Sequence, residues 1–241
     1  MTTFGALVVV TLRGLLGRRR TLLMVLLASL PILVGLLIRL GGGRNDAPEI
    51  LDTLVIRTVL PLIALVFGTA TIGSEIEDGT IVFLLAKPIA RWRVAVAKLG
   101  VAAGLTAALV VPPIIVTAVL VEGVSGGSLG TAFGFALAAI AGGTAYAVAF
   151  GTLGVVTSRA LVVGLAYTLL WEGVLAGLLD GTRFMSIRQA TLGVAAALTG
   201  EDVGVDVLGP AISSLILAVV VVGGFLLTTR ALTRFQVRSA D

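Results

Sequence analysis

Histidine and cysteine are both missing from the 241 residues, and lysine occurs only at positions 87 and 98. Without Cys or His there are no disulfides, thiol nucleophiles or Cys- and His-ligated metal sites. Ser-His-Asp and His-Glu-x-x-His arrangements are excluded for the same reason. The two lysines precede Pro88 and Leu99, so neither belongs to a phosphate loop, which needs Gly-Lys-Ser/Thr. The chain does not bind ATP by that route. Charge is also scarce: 12% of residues, against about a quarter in a soluble domain. With 58% hydrophobic residues and a mean hydropathy of +1.14, too little polar surface remains to face water all round. The composition is that of a membrane protein.

Charge-free runs locate the spans. Thr21–Ile38, Thr58–Ser74, Leu99–Val121 and Val207–Thr229 carry no charge, and neither does Gly123–Ser158, whose first part, "GVSGGSLG", has loop chemistry. Crossing about 30 Å of hydrocarbon takes around 20 helical residues. Six spans are therefore expected, at about 21–38, 56–74, 97–121, 131–157, 160–179 and 208–230, in one all-α integral membrane domain covering 1–241. Residues 39–57 and 180–207 are left as connections on one side, and 75–93 as a connection on the other. Within 180–207, the uncharged run Gln189–Gly200 is too short to span and suits a re-entrant or interfacial helix.

The side holding the N-terminus, the 72–100 loop, the 157–160 turn and the C-terminus carries 12 of the 17 Lys and Arg. The positive-inside rule makes that side cytoplasmic, which gives a multi-pass cell-membrane protein with both termini inside. A nucleic-acid partner has little support, because the cations follow membrane edges rather than a folded basic face. The first span ends "LLIRLGGG" with no small-residue cleavage site, so its retention is expected. Ahead of it, Phe4, Leu7, Val8, Leu12, Leu15 and Leu16 make one helical stripe that ends in three arginines. This reads as an amphipathic interfacial helix over 1–20, or else as a downward extension of the first span.

Two features carry candidate chemistry. Glu172 is the one acid inside a span. A charge at mid-bilayer costs about 2.5–3.5 kcal/mol, and such residues are by default functional. Glu172 is thus a candidate for a substrate path or a helix partner, against the plainer reading of a carboxyl near the external end. Small residues also recur, with Gly130, Gly134, Ala138 and Gly142 forming one ridge and Gly100 and Gly104 another. Such ridges let helices approach closely in lipid.

The second feature is "IGSEIEDGTIVFLLAKPIARWRVAVAKLG", residues 72–100. Ser74 with Glu77 has the spacing of a capping box, and Glu75, Glu77 and Asp78 would suit a helix N-terminus. Pro88 disfavours a helical Lys87, so a short helix is expected between Ser74 and Pro88, with a second starting near Ala90. Gly79 allows a bend or close approach. The apolar face with Phe83 and Leu84 needs a cover: the chain's own N-terminus, lipid headgroups or a cytoplasmic partner.

This stretch resembles the signature loop of ABC-type-2 permeases, the membrane subunits of ABC exporters. The pattern falls on Ser74, Glu75, Glu77, Asp78, Gly79, Thr80, Ala86, Lys87, Pro88, Arg91, Lys98 and Leu99. Ala90 departs from it, standing where Ser or Thr is frequent. The resemblance implies that 74–88 is a coupling helix docking on a separate ATPase, with Ser74, Glu75, Glu77, Asp78, Gly79, Thr80, Phe83, Leu84, Lys87, Pro88 and Arg91 at the partner surface. It implies two cytoplasmic ABC ATPase subunits that hold the ATP and Mg²⁺, no cofactor in this chain, and a second permease copy or a related permease. The scarcity of aromatics suits a lipophilic or amphiphilic cargo. Against this stands a different class, a non-transporting membrane anchor or assembly subunit. A secondary transporter is less expected, since broken helices or several buried polar groups usually mark that class.

Overall fold

In the computed structural model, residues 3–41, 47–80, 90–175, 184–200 and 208–238 are described. Among them the chain is helical without strands. Helix α1 is Thr3–Leu15 and α2 is Arg18–Leu40. Between them Gly17 takes an extended conformation, so the three arginines open α2 rather than closing α1. Helix α3 comprises Ala47–Ile50, a π-helical stretch Leu51–Val59 and Leu60–Glu77. Much of the expected 39–57 loop is therefore helix. Its apolar positions Leu51, Val55, Ile56 and Val59 are buried, and burial outweighs the loop signal of Pro48 and Asp52.

Helix α4 is Arg91–Glu122, starting after Ala90 with no side-chain cap. Helix α5 is Gly126–Val156. It begins inside the stretch read as loop, because Ser125 and Ser128 form a reciprocal capping box. Helix α6 joins Ala160–Ala166 to a π-helical stretch Tyr167–Leu175. Helix α7 is Ile187–Thr199, started by the Ser186 side chain and stopped by Gly200 at φ 68°. Helix α8 is Pro210–Arg238.

Five helices are long and apolar enough to cross a bilayer: α2, α3, α4, α5 and α8. The apolar stretch of α6, Ala160–Val174, is shorter, and residues 176–183 beyond it lie outside the described set. The outward faces are apolar, as lipid requires. Leu22, Leu26 and Leu37 of α2 and Leu215, Val219 and Val222 of α8 are all well exposed.

Helix α5 is the central post, packed by α3, α4, α7 and α8. Its contact with α3 is nearly backbone on backbone. A Cβ on Gly68 would come within 2.9 Å of the Ala147 carbonyl, and one on Gly154 within 2.9 Å of the Thr69 carbonyl. In lipid no hydrophobic force separates one apolar face from another, so close packing decides helix pairing.

The ridge on α5 has a different customer. Side chains at Gly134 and Gly142 would overlap Thr199 and Thr191 of α7. Helix α7 therefore runs antiparallel to α5 and its first residues come level with Tyr146, about 18 Å along α5 from Gly134. The segment expected as re-entrant or interfacial dips into the bundle, and Ile187–Leu192 are buried. On Gly100 and Gly104 a Cβ would meet nothing within 4 Å; they line an apolar groove beneath Phe4, Val8 and Leu12 of α1.

Candidate functional site

Ser74 does not start a helix. It lies in the last turn of α3, donating from its hydroxyl to the Ala70 carbonyl at 2.7 Å. Helix α3 ends at Glu77, Asp78 caps it by donating its N–H to the Ser74 carbonyl at 2.9 Å, and Gly79 turns at φ 68°. The expected capping box is corrected by this arrangement: the acids crowd a helix C-terminus, where the dipole disfavours them. Thr80 folds back, its hydroxyl donating to the Glu75 carbonyl at 3.4 Å.

A cation from the next helix compensates. Lys98 of α4 is only 1% exposed; its Nζ donates to Glu75 Oε1 at 2.5 Å and to the Thr71 carbonyl at 3.0 Å. The pair closes the gap between the two stems of the 81–89 connection. Ile72, Val94, Ala95 and Leu99 pack beside it as a small apolar cluster. Local spacing suggested a cap because Ser, Glu and Asp are also common there; the partner that fixes Glu75 lies 23 residues further on.

Arg91 opens α4. Phe83, Leu84, Lys87 and Pro88 lie outside the described residues, and so does most of the expected coupling helix.

The second cluster surrounds Glu172, which is 3% exposed. Its carboxylate accepts hydrogen bonds from the Tyr146 hydroxyl of α5, the Tyr167 hydroxyl at 3.1 Å, the Ser186 hydroxyl at 3.3 Å and the Arg188 N–H at 3.1 Å. Helices α5 and α6 and the start of α7 thus converge on one acid. Arg188, itself 3% exposed, turns its Nε toward Asp52 Oδ1 of α3 at 3.9 Å. Neither of those two atoms has a hydrogen-bond partner, and Gln189 Oε1 beside them has none either.

Glu172 was visible from sequence as a lone acid in an apolar run. Asp52, Arg188, Tyr146 and Tyr167 were not, because they come together from four separate elements. Both acids sit on π-helical stretches, which carry no compositional signature and recur at functional positions. The described residues contain no group of acids, His or Cys able to hold a metal ion.

A bundle of long apolar helices with lipid-facing leucines defines a multi-pass membrane protein. The chain belongs to the ABC-2 family transporter proteins, whose family model it matches over residues 20–183. That span covers the Ser74–Lys98 stretch and Glu172. A comparison with curated proteins finds no match.

Proposed function

We propose that the chain is the permease subunit of an ATP-driven exporter, carrying a lipophilic or amphiphilic substrate out of the cytoplasm by alternating access. Residues 160–179 make the sixth span, and both termini lie in the cytoplasm. Two permeases, identical or related, pair over two ABC ATPases that hold ATP and Mg²⁺. The ATPase docks on residues 74–88.

One observation carries this reading beyond family membership: the Lys98–Glu75 pair. It fastens the two stems of the 81–89 connection together, so a push on the loop moves α3 and α4 as one unit. A floppy loop would absorb the push instead. Glu172 serves the cycle through the position of α7. In the conformation described its carboxylate is closed in by four donors, and it reaches a path only in a state where these part.

The double substitution Phe83→Asp with Leu84→Asp tests the docking. Losing a hydrophobic anchor from an interface costs about 2 kcal/mol or more, roughly thirtyfold in affinity, and a buried unpaired charge costs more. The variant is expected to insert normally, lose its ATPase during co-purification and stop transport. Retention of the ATPase with wild-type transport would remove docking from this loop.

A further inference from the structure

At the end of the bundle where α1 meets α2 and α5 meets α6, a cavity of about 320 Å³ opens between α2, α3 and the Thr157–Arg159 turn. Arg20, from the first turn of α2, and Arg159, from the start of α6, both line it. Neither guanidinium has an acidic partner among the described residues. Part of the lining is polar: Ser74, Thr157 and the exposed residue Ser158. The upper wall is apolar. Leu161 and Val162 are 48% and 63% exposed and run straight into the outward, lipid-facing surface of α6.

Two cations brought together from positions 20 and 159 are suited to one doubly hydrogen-bonding anion. Guanidinium groups match phosphate oxygens bidentately. The apolar wall above them fixes what the anion is attached to, because a free phosphate gains nothing from Leu161 and Val162 while an acyl chain does. Basic pockets between spans on the cytoplasmic side are where anionic headgroups bind.

We propose that this cavity is a binding site for the phosphate headgroup of an anionic phospholipid of the inner leaflet, held by Arg20 and Arg159, with its acyl chain laid along α6. The leaflet assignment rests on the cytoplasmic orientation proposed above; the site itself rests on the cavity. A lipid held here bridges the first turn of α2 to the α5–α6 turn, and so couples span packing to headgroup charge.

The full chain, purified in mild detergent, is titrated with phosphatidylglycerol or phosphatidylethanolamine, and bound lipid is counted by native mass spectrometry. Each basic residue near an anionic surface contributes about fivefold in affinity, so Arg20→Gln with Arg159→Gln should weaken phosphatidylglycerol by about thirtyfold. Phosphatidylethanolamine, whose ammonium offsets its phosphate charge, should bind the wild type more weakly than phosphatidylglycerol and lose less in this variant. Leu161→Trp, which fills an exposed edge of the cavity and keeps both cations, should also expel the lipid. Arg39→Ala removes one charge from the other end of the bundle and should leave binding intact. Equal phosphatidylglycerol affinity in the double-glutamine variant overturns the proposal, as does loss of binding in Arg39→Ala. Displacement of the lipid by inorganic phosphate, which itself then stays bound, assigns the cavity to the free anion and also overturns it. A Cys placed at Ser158 separates the two readings: labelling from outside the cell refutes the orientation, while the lipid titration still decides the cavity.

Discussion

Glu75 and Glu172 are each fixed by a group from another helix, and they are held in different ways. Glu75 meets a full positive charge, Lys98, at the edge of the bundle, and its own side chain remains 31% exposed. Glu172 meets no cation directly. It sits deeper, satisfied by two tyrosine hydroxyls, a serine hydroxyl and a backbone N–H. A charge pair needs one partner and tolerates motion of the backbone around it. A shell of neutral donors needs several elements in register at once. The first arrangement ties α3 to α4 as a joint, and the second ties α7 to α5 and α6 as a lock.

The comparison predicts an asymmetry that stability measurements on purified protein can test. The largest loss should follow Glu75→Ala, because it leaves the buried Lys98 ammonium with only the Thr71 carbonyl. Removing one partner of a buried pair costs roughly 3–5 kcal/mol, and about 3 is expected here because Lys98 keeps that bond. Thermal unfolding in detergent should show it as a clear fall in Tm. Next comes Glu172→Ala, which takes the acceptor from the Tyr146 and Ser186 hydroxyls and the Arg188 N–H, while the Tyr167 hydroxyl still reaches the Met185 carbonyl at 3.2 Å. Interhelical hydrogen bonds in membranes average about 0.6 kcal/mol, so a loss of about 2 kcal/mol is expected. An equal or greater loss than for Glu75→Ala would reverse the ranking of lock and joint.

Smaller effects should follow the conservative changes. Lys98→Met leaves Glu75 with a route to water, so about 1 kcal/mol is expected, well below Glu75→Ala. Glu172→Gln keeps a carbonyl oxygen for the donors and removes the charge, so insertion should be intact and stability within about 1 kcal/mol of wild type. If transport then changes while Tm does not, Glu172 acts in the cycle and not only in packing. Arg39→Ala should cost least, about 0.5 kcal/mol, since its guanidinium makes one exposed bond, to the Leu120 carbonyl at 3.0 Å.

Five long apolar helices were legible because hydrocarbon imposes a composition rule that needs no tertiary knowledge. Helix α4 starts at Arg91, beside the Ala90 start that Pro88 indicated, and α8 at Pro210, near the start of its charge-free run. Boundaries failed where a local signal met a distant partner. Ser74 and Glu77 have cap spacing, yet the helix runs through them because Glu75 finds Lys98 and Ile72 is buried. "GVSGGSLG" looks like a loop, yet Ser125 and Ser128 cap each other within it. Small-residue ridges divided in the same way: Gly134 and Gly142 admit α7, while Gly100 and Gly104 admit no close neighbour. A ridge records that an approach is allowed, and only the partner decides whether it occurs. Around Glu172, which stood out as a lone acid in an apolar run, the partners were least legible, since Asp52, Arg188, Tyr146 and Tyr167 come together only when the bundle closes.

The two π-helical stretches, Leu51–Val59 and Tyr167–Leu175, have a mechanical meaning of their own. A wide turn holds a surplus residue relative to the regular coil on either side, much as a crystal dislocation holds an extra half-plane. Dislocations let a rod twist by slipping one bond at a time instead of breaking many together. Asp52 and Glu172 each ride on such a defect, so the angle at which either acid faces α7 is set by where the surplus residue sits in its helix.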